Sequence, residues 1–396
     1  MTTERIAGVR RLRIDREYLE RVLVELLEIP SPTGRTDHVQ QYVGERLLAL
    51  GLPFHINRRG AILASLDGAR NDVDRTIVVH TDTIGCMVTG IKTNGRLAIR
   101  PIGTHSARFA EGVLVRVFTD DLETVITGTV LPLKASGHRW NDEVDTQGVG
   151  WDHVEVRLDE RVEDAAGVRA LGIEIGDFVA LMSIPLITPN GFIKARHLDD
   201  KAGVAAVLAA FKAVIESGVD VRVNAHLLVT CTEEVGHGAS HGVDPHVAEI
   251  VSVDTAVVAQ DQQSREDAVC VAMADGVGPF DYHLSRRLTQ LAADFDIPCV
   301  RDVFGYYRSD LAAAIESGAD ARAALLAFGV DATHGHERTH MDGLVHLAEL
   351  LTIYLQTDLV FPEWDARDHG DLEAFPSLAV QPASEEGPRE GPIGIE

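Results

Sequence analysis

Two adjacent carboxylates, Glu233 and Glu234, follow the apolar segment 223–232. Successive side chains leave a β-strand in opposite directions, but both can face one crevice where the strand unwinds into the turn at 235–238. One carboxylate could then bind a metal ion while its neighbour transfers protons. Glu-Glu pairs are also common on solvated surfaces, so the pair alone does not distinguish a functional site from an ordinary surface. The other segments of the chain supply the evidence that distinguishes them.

Four further apolar segments lead into residue types that bind metals. They are 76–79 before His80 and Asp82, 191–198 before Asp199 and Asp200, 250–253 ending at Asp254, and 323–330 ending near His334. Any one of these residues alone is more often a cap or a surface group than a ligand. Ligands of open α/β sheets gather at the carboxyl ends of the strands, so the five strand ends together predict one metal-binding crevice.

The donor set restricts the metal chemistry. Two His, two Asp and one Glu offer nitrogen and oxygen without thiolate, which suits zinc, cobalt or manganese. Five protein ligands are too many for one tetrahedral catalytic zinc, but they fit two ions if one Asp bridges them at roughly 3.5 to 4 Å. Water between such ions becomes a nucleophile near neutral pH. Glu233 is then left as the general base, and the Asp82 carboxylate could orient the His80 imidazole.

These segments resemble the tetrahedral and glutamyl aminopeptidases, a family of dinuclear metallopeptidases with a co-catalytic zinc or cobalt pair. The resemblance covers about residues 18–359. It includes an early Ser-Pro turn at 29–34, a His-x-Asp segment at 80–88 and a Leu-Gly-Ile segment at 171–177. It also includes an Asp-Asp segment at 198–203 and a Glu-Glu segment at 232–236.

Carried over position by position, the resemblance implies a site that agrees with the division of roles above. The implied metal ligands are His80, Asp199, Glu234, Asp254 and His334, with Asp199 as the bridge, Glu233 as the base and Asp82 as the support of His80. The family also implies two divalent metal ions per chain, zinc or cobalt, with manganese compatible. It further implies that an inserted module shapes subunit contacts and pocket access in large hollow homo-oligomers such as dodecamers.

Several positions depart from the family's pattern. Thr83 stands where Glu is usual and Lys201 where Arg is usual, while the segments 307–310 and 331–335 keep only Asp310 and His334 of the expected motifs. These changes concentrate in the last third of the chain, where substrate contacts are expected. The resemblance therefore predicts the type of reaction better than it predicts the substrate. The segments 278–283 and 337–340 are similar to a branch associated with the osmoprotectant N-acetylglutaminylglutamine amide system.

The segment 336–340 reads His-Glu-x-x-His, which binds a single zinc ion when it lies on a helix. Its neighbours instead predict a loop that leads into a helix beginning near Asp342 and running through residue 351. His340 nevertheless competes with His334 as the fifth ligand. His334 is favoured because it follows its strand by a few residues, whereas His340 adjoins a helix N-terminus, where the dipole disfavours a protonated imidazole.

Hydrophobic periodicity predicts an α/β fold with an inserted smaller β-rich domain, and the resemblance specifies a mixed central sheet flanked by helices. The expected division is a catalytic domain over 1–84 and 190–364, interrupted by the β-rich domain over 85–189. The acidic stretch 365–396 lacks the apolar content to fold and is predicted to be a disordered tail.

Composition excludes some partners. The net charge of -25 argues against binding nucleic acid or anionic membranes, which requires clustered Lys and Arg. The first 15 residues carry several charges and no continuous apolar stretch, and no run of 18 apolar residues occurs, so neither a signal peptide nor a membrane span is predicted. With four widely spaced cysteines, the chain is expected to be a cytoplasmic protein with reduced thiols.

Three functions are compatible with these observations. The first is a dinuclear metallopeptidase of aminopeptidase type, which acts on a small peptide or dipeptide-like substrate with Glu233 as base. The second keeps the metal chemistry but makes the protein an amidohydrolase of N-acetylated or amidated glutamine dipeptides. The third is a non-catalytic acidic assembly scaffold, which is disfavoured because Glu233 and all five ligand candidates are present.

Overall fold

Strands and helices alternate along the computed structural model, which describes residue 6 and residues 8–365. The strands are β1 (Phe54–Ile56), β2 (Ile62–Leu66), β3 (Arg70–His80), β4 (Gly85–Ile91), β5 (Leu97–Ile102), β6 (Leu114–Phe118), β7 (Val125–Pro132), β8 (Val154–Leu158), β9 (Phe178–Leu181), β10 (Leu186–Ile187), β11 (Phe192–Ala195), β12 (Val223–Thr230), β13 (Val247–Val258), β14 (Val269–Ala274), β15 (Cys299–Val303), β16 (Arg322–Asp331) and β17 (Glu337–His340). The helices are α1 (Arg16–Glu28), α2 (Asp37–Ala49), α3 (Gly137–Trp140), α4 (Glu143–Thr146), α5 (Ala165–Ala170), α6 (Leu198–Ser217), α7 (Tyr282–Asp294), α8 (Asp310–Glu316), α9 (Met341–Leu355) and α10 (Pro362–Asp365).

An 11-stranded mixed sheet forms the larger part of the fold, with nine strands in the order β1-β2-β12-β3-β13-β16-β17-β11-β10 and with β14 and β15 branching from β16. Parallel ladders join β12 to β3, β3 to β13 and β13 to β16. β11 is antiparallel to β17, which is antiparallel to β16, so β11 shares the direction of those four strands. The five strands that carry or precede the predicted ligands therefore point to one edge of the sheet.

The helix α6 is apolar on nearly every side. Every residue from 198 to 211 is buried, and the helix contacts α1, α9, β3 and β13. A helix that is apolar all round is typical of a protein interior, and its many Ala side chains allow neighbours to approach closely. Asp199 and Asp200 lie at its start, where the backbone is not yet helical, so packing of the buried helix fixes where these two carboxylates stand.

A second, smaller sheet closes into a barrel with the strand order β4-β5-β8-β7-β6-β9. Its interior holds a separate cluster of branched side chains, among them Val115, Val130, Val156 and Val179. Closure leaves no exposed strand edge in this unit. The predicted fold class, a mixed sheet flanked by helices with an additional small β-rich unit, is thereby confirmed.

One strand end was predicted wrongly. The sequence pattern predicted that the strand would end at Asp254, but β13 continues to Val258. Its parallel ladder with β16 extends to the pair of Val258 and Asp331, so backbone hydrogen bonding carries the strand past its first acidic residue. Asp254 is therefore a buried residue within the strand.

The C-terminal part of the described chain ends in helices. α9 begins at Met341, one residue before the predicted start, and continues to Leu355. Among the described helices, none combines the length and apolar character needed to cross a membrane. The predicted tail lies outside the described residues, apart from Asp365 at the end of α10.

Candidate metal centre

His80 and Asp199, which are 119 positions apart in the chain, meet at the carboxyl edge of the sheet. His80 is the last residue of β3, and its Nε2 lies 3.2 Å from Oδ1 of Asp199. Asp254 completes a buried group of three whose candidate ligand atoms all lie within 4.8 Å of one another. The shared strand direction brings together the residues that the sequence pattern predicted to meet.

His334 contacts the second oxygen of Asp199. Its Nε2 lies 3.5 Å from Oδ2 of Asp199 and 3.4 Å from Oε2 of Glu234. Its Nδ1 lies 2.7 Å from the carbonyl oxygen of Thr104, and Nδ1 of His80 lies 3.0 Å from the carbonyl oxygen of Asp82. Because a carbonyl oxygen only accepts hydrogen bonds, both Nδ1 atoms carry the proton and both Nε2 atoms are left as potential ligands.

The Asp82 carboxylate holds the turn of the two glutamates, while its backbone carbonyl contacts His80. Its oxygens accept hydrogen bonds from the backbone N–H groups of Glu233 at 3.1 Å and Glu234 at 3.2 Å, and from the Thr33 hydroxyl at 2.7 Å. The same carboxylate lies 3.6 Å from Nδ1 of His80. Asp82 therefore fixes the turn that carries the adjacent glutamates, in addition to lying beside the imidazole.

Three of the buried carboxylates hold protons unusually tightly. Burial raises the pKa of Glu234 to about 8 and that of Asp254 to about 7, and neighbouring acids add to both shifts. Burial also raises the pKa of Glu233 well above its usual range, an effect that His80 opposes. Burial raises the pKa of Asp199 too, but hydrogen bonds from His334 and His80 outweigh it and lower this pKa. Such a concentration of buried acids fits a site for cations, which would replace the protons.

A cleft of about 1070 Å³ opens beside this cluster. Its walls include Glu233 and Asp254 from the sheet domain, and Arg100 and Ile102 from the barrel strand β5. The Glu233 side chain is 13% exposed and that of Glu234 is 4% exposed, so Glu233 is the more accessible of the two glutamates. The cleft could therefore present a substrate to the Glu233 carboxylate and to the buried cluster together.

Comparison with known proteins places the chain in a family. The sequence model described as M42 glutamyl aminopeptidase matches residues 60–350, which is most of the chain. The chain belongs to this family. It is accordingly a hydrolytic peptidase of a metal-dependent family, and the family resemblance predicted from the sequence is confirmed.

Relatives of this M42 peptidase align with most of its length. The Bacillus subtilis protein named "Putative aminopeptidase YhfE" is 36% identical over 339 residues, which cover 86% of this chain and 97% of the relative. An aminopeptidase from the archaeon Desulfurococcus kamchatkensis superposes with a TM-score of 0.80 at 20% identity, over 90% of this chain and 99% of the other. The TET1 peptidase of Pyrococcus horikoshii, described as assembling into a tetrahedron or a large octahedral shell, gives 0.75 at 18% identity, over 85% and 98%.

The His-Glu-x-x-His segment of this M42 peptidase does not form the helix that its single-zinc interpretation requires. Residues 337–340 are the strand β17, and His340 is the N-cap of α9. The His340 Nδ1 accepts a hydrogen bond from the backbone N–H of Asp342, while Nε2 lies 2.8 Å from the carbonyl oxygen of Asn190. The geometry brings His334, and not His340, beside Asp199, so a metal-binding role for His334 remains the better prediction.

Three buried acids support the centre in ways that the sequence analysis did not predict. Asp200, joined to Asp199 by a cis peptide bond, accepts a hydrogen bond from the backbone N–H of His80 at 3.4 Å. Asp310 accepts hydrogen bonds from the Thr230 hydroxyl at 2.6 Å and from the backbone N–H of Ala239 at 2.8 Å. Glu337, the acid of the His-Glu-x-x-His segment, is buried and accepts a hydrogen bond from the backbone N–H of His334 at 2.9 Å. An acid three residues after a candidate ligand was the available signal for it.

Proposed function

We propose that this M42 peptidase is an aminopeptidase that cleaves the first peptide bond of small peptides, with two divalent ions in the cluster described above. The observation that supports this most strongly is that Asp199 presents one oxygen to each of two imidazoles. A carboxylate in that position is suited to bridge two ions. The proposed ligands are His80, Asp199, Glu234, Asp254 and His334.

The residues fit such ions by their chemistry. Imidazole and carboxylate donors without thiolate suit zinc and cobalt, and also manganese. When bound, the ions supply Lewis acidity, which activates water and polarises the scissile carbonyl group. The nearby hydrogen bonds to Asp82 and to the carbonyl oxygen of Thr104 hold donor side chains and their backbone in fixed orientations.

Glu233 is assigned the proton transfers. We propose that its carboxylate takes a proton from the attacking water and then passes it to the amine nitrogen that leaves as the C–N bond breaks. Two features support this role: its side chain is the more exposed of the glutamate pair, and it lines the cleft. Burial, with a contribution from nearby carboxylates such as Asp254, keeps the pKa of Glu233 high, which suits a group that must both accept and release protons.

The proposal extends to assembly. The chain is expected to form a homo-oligomer, with a dodecamer as the predicted form, in which the β-rich domain over 85–189 shapes subunit contacts and access to the cleft. Support comes from the fold shared with the TET1 peptidase and from barrel residues, Arg100 among them, in the wall of the cleft. The catalytic domain is assigned to 1–84 and 190–364.

The function is tested with matched peptides that differ only at the amino terminus. Metal-depleted protein is reloaded with zinc, cobalt or manganese and assayed by mass spectrometry on a peptide with a free amine, on its N-acetylated form and on an N-acetylated glutamine dipeptide amide. Faster cleavage of the free-amine peptide, dependent on metal, is the expected result. Preference for the acetylated dipeptide would indicate the amidohydrolase alternative instead, and no cleavage of any substrate would indicate the scaffold.

A further inference from the structure

Glu337 is a buried carboxylate whose two oxygens both accept hydrogen bonds from the backbone. Its Oε2 accepts from the N–H groups of Leu198 at 2.6 Å and Asp199 at 3.2 Å, and its Oε1 accepts from the N–H of His334 at 2.9 Å. The residue is 1% exposed. One side chain thus joins the first turn of α6 to the loop between β16 and β17.

Both of the joined segments contain residues in the left-handed region. The φ angle is 67° at His197, directly before Leu198, and 58° and 62° at Ala332 and His334. Residues other than glycine adopt this backbone conformation at an energetic cost, so surrounding contacts have to maintain it. The hydrogen bonds to Glu337 adjoin these positions and are strong because the acceptor is a carboxylate.

We infer that Glu337 is a positioning residue that sets the distance between Asp199 and His334. The inference rests on the metal-binding roles proposed above, because these are two of the five proposed ligands. We assign Glu337 neither metal binding nor proton transfer, because both of its oxygens accept backbone N–H groups and its side chain is buried. The Glu of the His-Glu-x-x-His segment therefore serves the site through the backbone.

The conservative variant Glu337→Gln tests this role, because its side-chain amide has only one acceptor oxygen and cannot serve both backbone segments. The expected result is weaker binding of divalent metal by roughly 10- to 100-fold, the range found for residues that orient ligands. The visible absorption spectrum of the cobalt-loaded protein should also change, since it reports the geometry of the ligands around the ion. Metal affinity is measured by titration with zinc and cobalt.

Glu249→Gln is the matched control. Glu249 is fully buried and accepts hydrogen bonds from the backbone N–H of Val360 and the Tyr354 hydroxyl, both at 2.6 Å, and it is not among the proposed ligands. This variant should lose stability without a change in metal affinity or in the cobalt spectrum. If Glu337→Gln fails to fold, Glu337→Asp retains the charge but is too short to reach both segments, and it should show the same defects.

The outcomes separate this inference from the proposed function. If the wild-type protein binds two ions and both Glu337 variants match its metal affinity and cobalt spectrum, the positioning role is overturned while the metal centre stands. If the control changes the cobalt spectrum as much as Glu337→Gln does, the effect is one of general stability and the inference is also overturned. A wild-type protein that binds no ion would instead contradict the proposed function.

Discussion

At the scale of single residues, Asp199 and Asp200 are neighbours with different surroundings. Asp199 faces His80 and His334, whereas Asp200 accepts a backbone N–H and its Oδ1 is buried without a hydrogen-bond partner in the described part of the chain. Asp199→Ala should therefore lower occupancy of both metal positions, because it removes a ligand that they share. Asp200→Ala should mainly disturb orientation and retain most of the metal.

Metal analysis of the two purified variants decides this prediction, with the wild-type protein measured alongside. The opposite pattern, an empty site in Asp200→Ala and a full one in Asp199→Ala, would mean that the assignment is displaced by one residue.

The raised pKa values predict how metal affinity depends on pH. Below about pH 8 the metal-free site holds extra protons, because burial raises the pKa of Glu234 to about 8 and that of Asp254 to about 7. Metal must displace these protons, so affinity should strengthen as the pH rises from about 6 to 8. Since both folded-state pKa values lie above the ordinary ones, the metal-free protein should lose stability over the same rise.

Calorimetric titration in buffers of different ionisation enthalpy counts the protons that are released on binding. Thermal unfolding of the metal-free protein at several pH values supplies the second measurement. Metal affinity that stays constant between pH 6 and 8, with no protons released, would contradict the assignment of these carboxylates to the site.

Residue types and spacing were enough to predict which side chains meet. His80, Asp199 and Asp254 were predicted from their places on or after apolar segments, and the structure brings them within 4.8 Å. The role of Glu337 could not be predicted in this way, because its partners Leu198 and Asp199 lie 139 and 138 positions away. Its place three residues after His334 puts it near the site, but nothing local indicates which distant backbone segment it contacts.

At the scale of elements, strand direction was predictable and strand length was less so. The prediction that five strand ends meet in one crevice requires strands of shared direction, and β3, β12, β13 and β16 are parallel. The end of β13 was misjudged because an acidic residue normally marks the surface, whereas Asp254 is buried and lies within the ladder of β13 with β16, opposite Ala327. A buried acid within a strand is itself a sign of function.

The start of α6 gives a prediction about a glycine. A Cβ atom at Gly203 would lie 2.1 Å from Oδ1 of the buried Asp200. Alanine normally stabilises a helix by about 1 kcal/mol relative to glycine, but Gly203→Ala should instead destabilise the protein and weaken metal binding, because Asp200 would have to move. Gly167→Ala in α5 is the control, since its Cβ would meet Val162 at an ordinary 3.4 Å.

Thermal unfolding and metal titration of both glycine variants test this prediction. Wild-type stability and metal affinity in Gly203→Ala would contradict the prediction. That result would mean that Asp200 can move aside without cost.

At the scale of the whole molecule, the protein should assemble through contacts that involve the barrel. Light scattering coupled to size-exclusion chromatography should give a mass several times the 42.9 kDa of one chain, with the dodecamer as the expected form. The net charge of -25 keeps such an assembly soluble but adds repulsion between subunits. Assembly should therefore strengthen with added salt, and a species of single-chain mass at all salt concentrations would contradict the prediction.

The division of roles between Glu233 and the five proposed ligands is tested most directly by the turnover of metal-loaded Glu233→Gln. The variant keeps the shape of the side chain but cannot accept the proton, so we expect it to retain about two metal ions per chain while kcat falls on the order of 100-fold or more. Near-wild-type turnover in the metal-loaded variant, or loss of its metal, would contradict the assignment of Glu233 as the base.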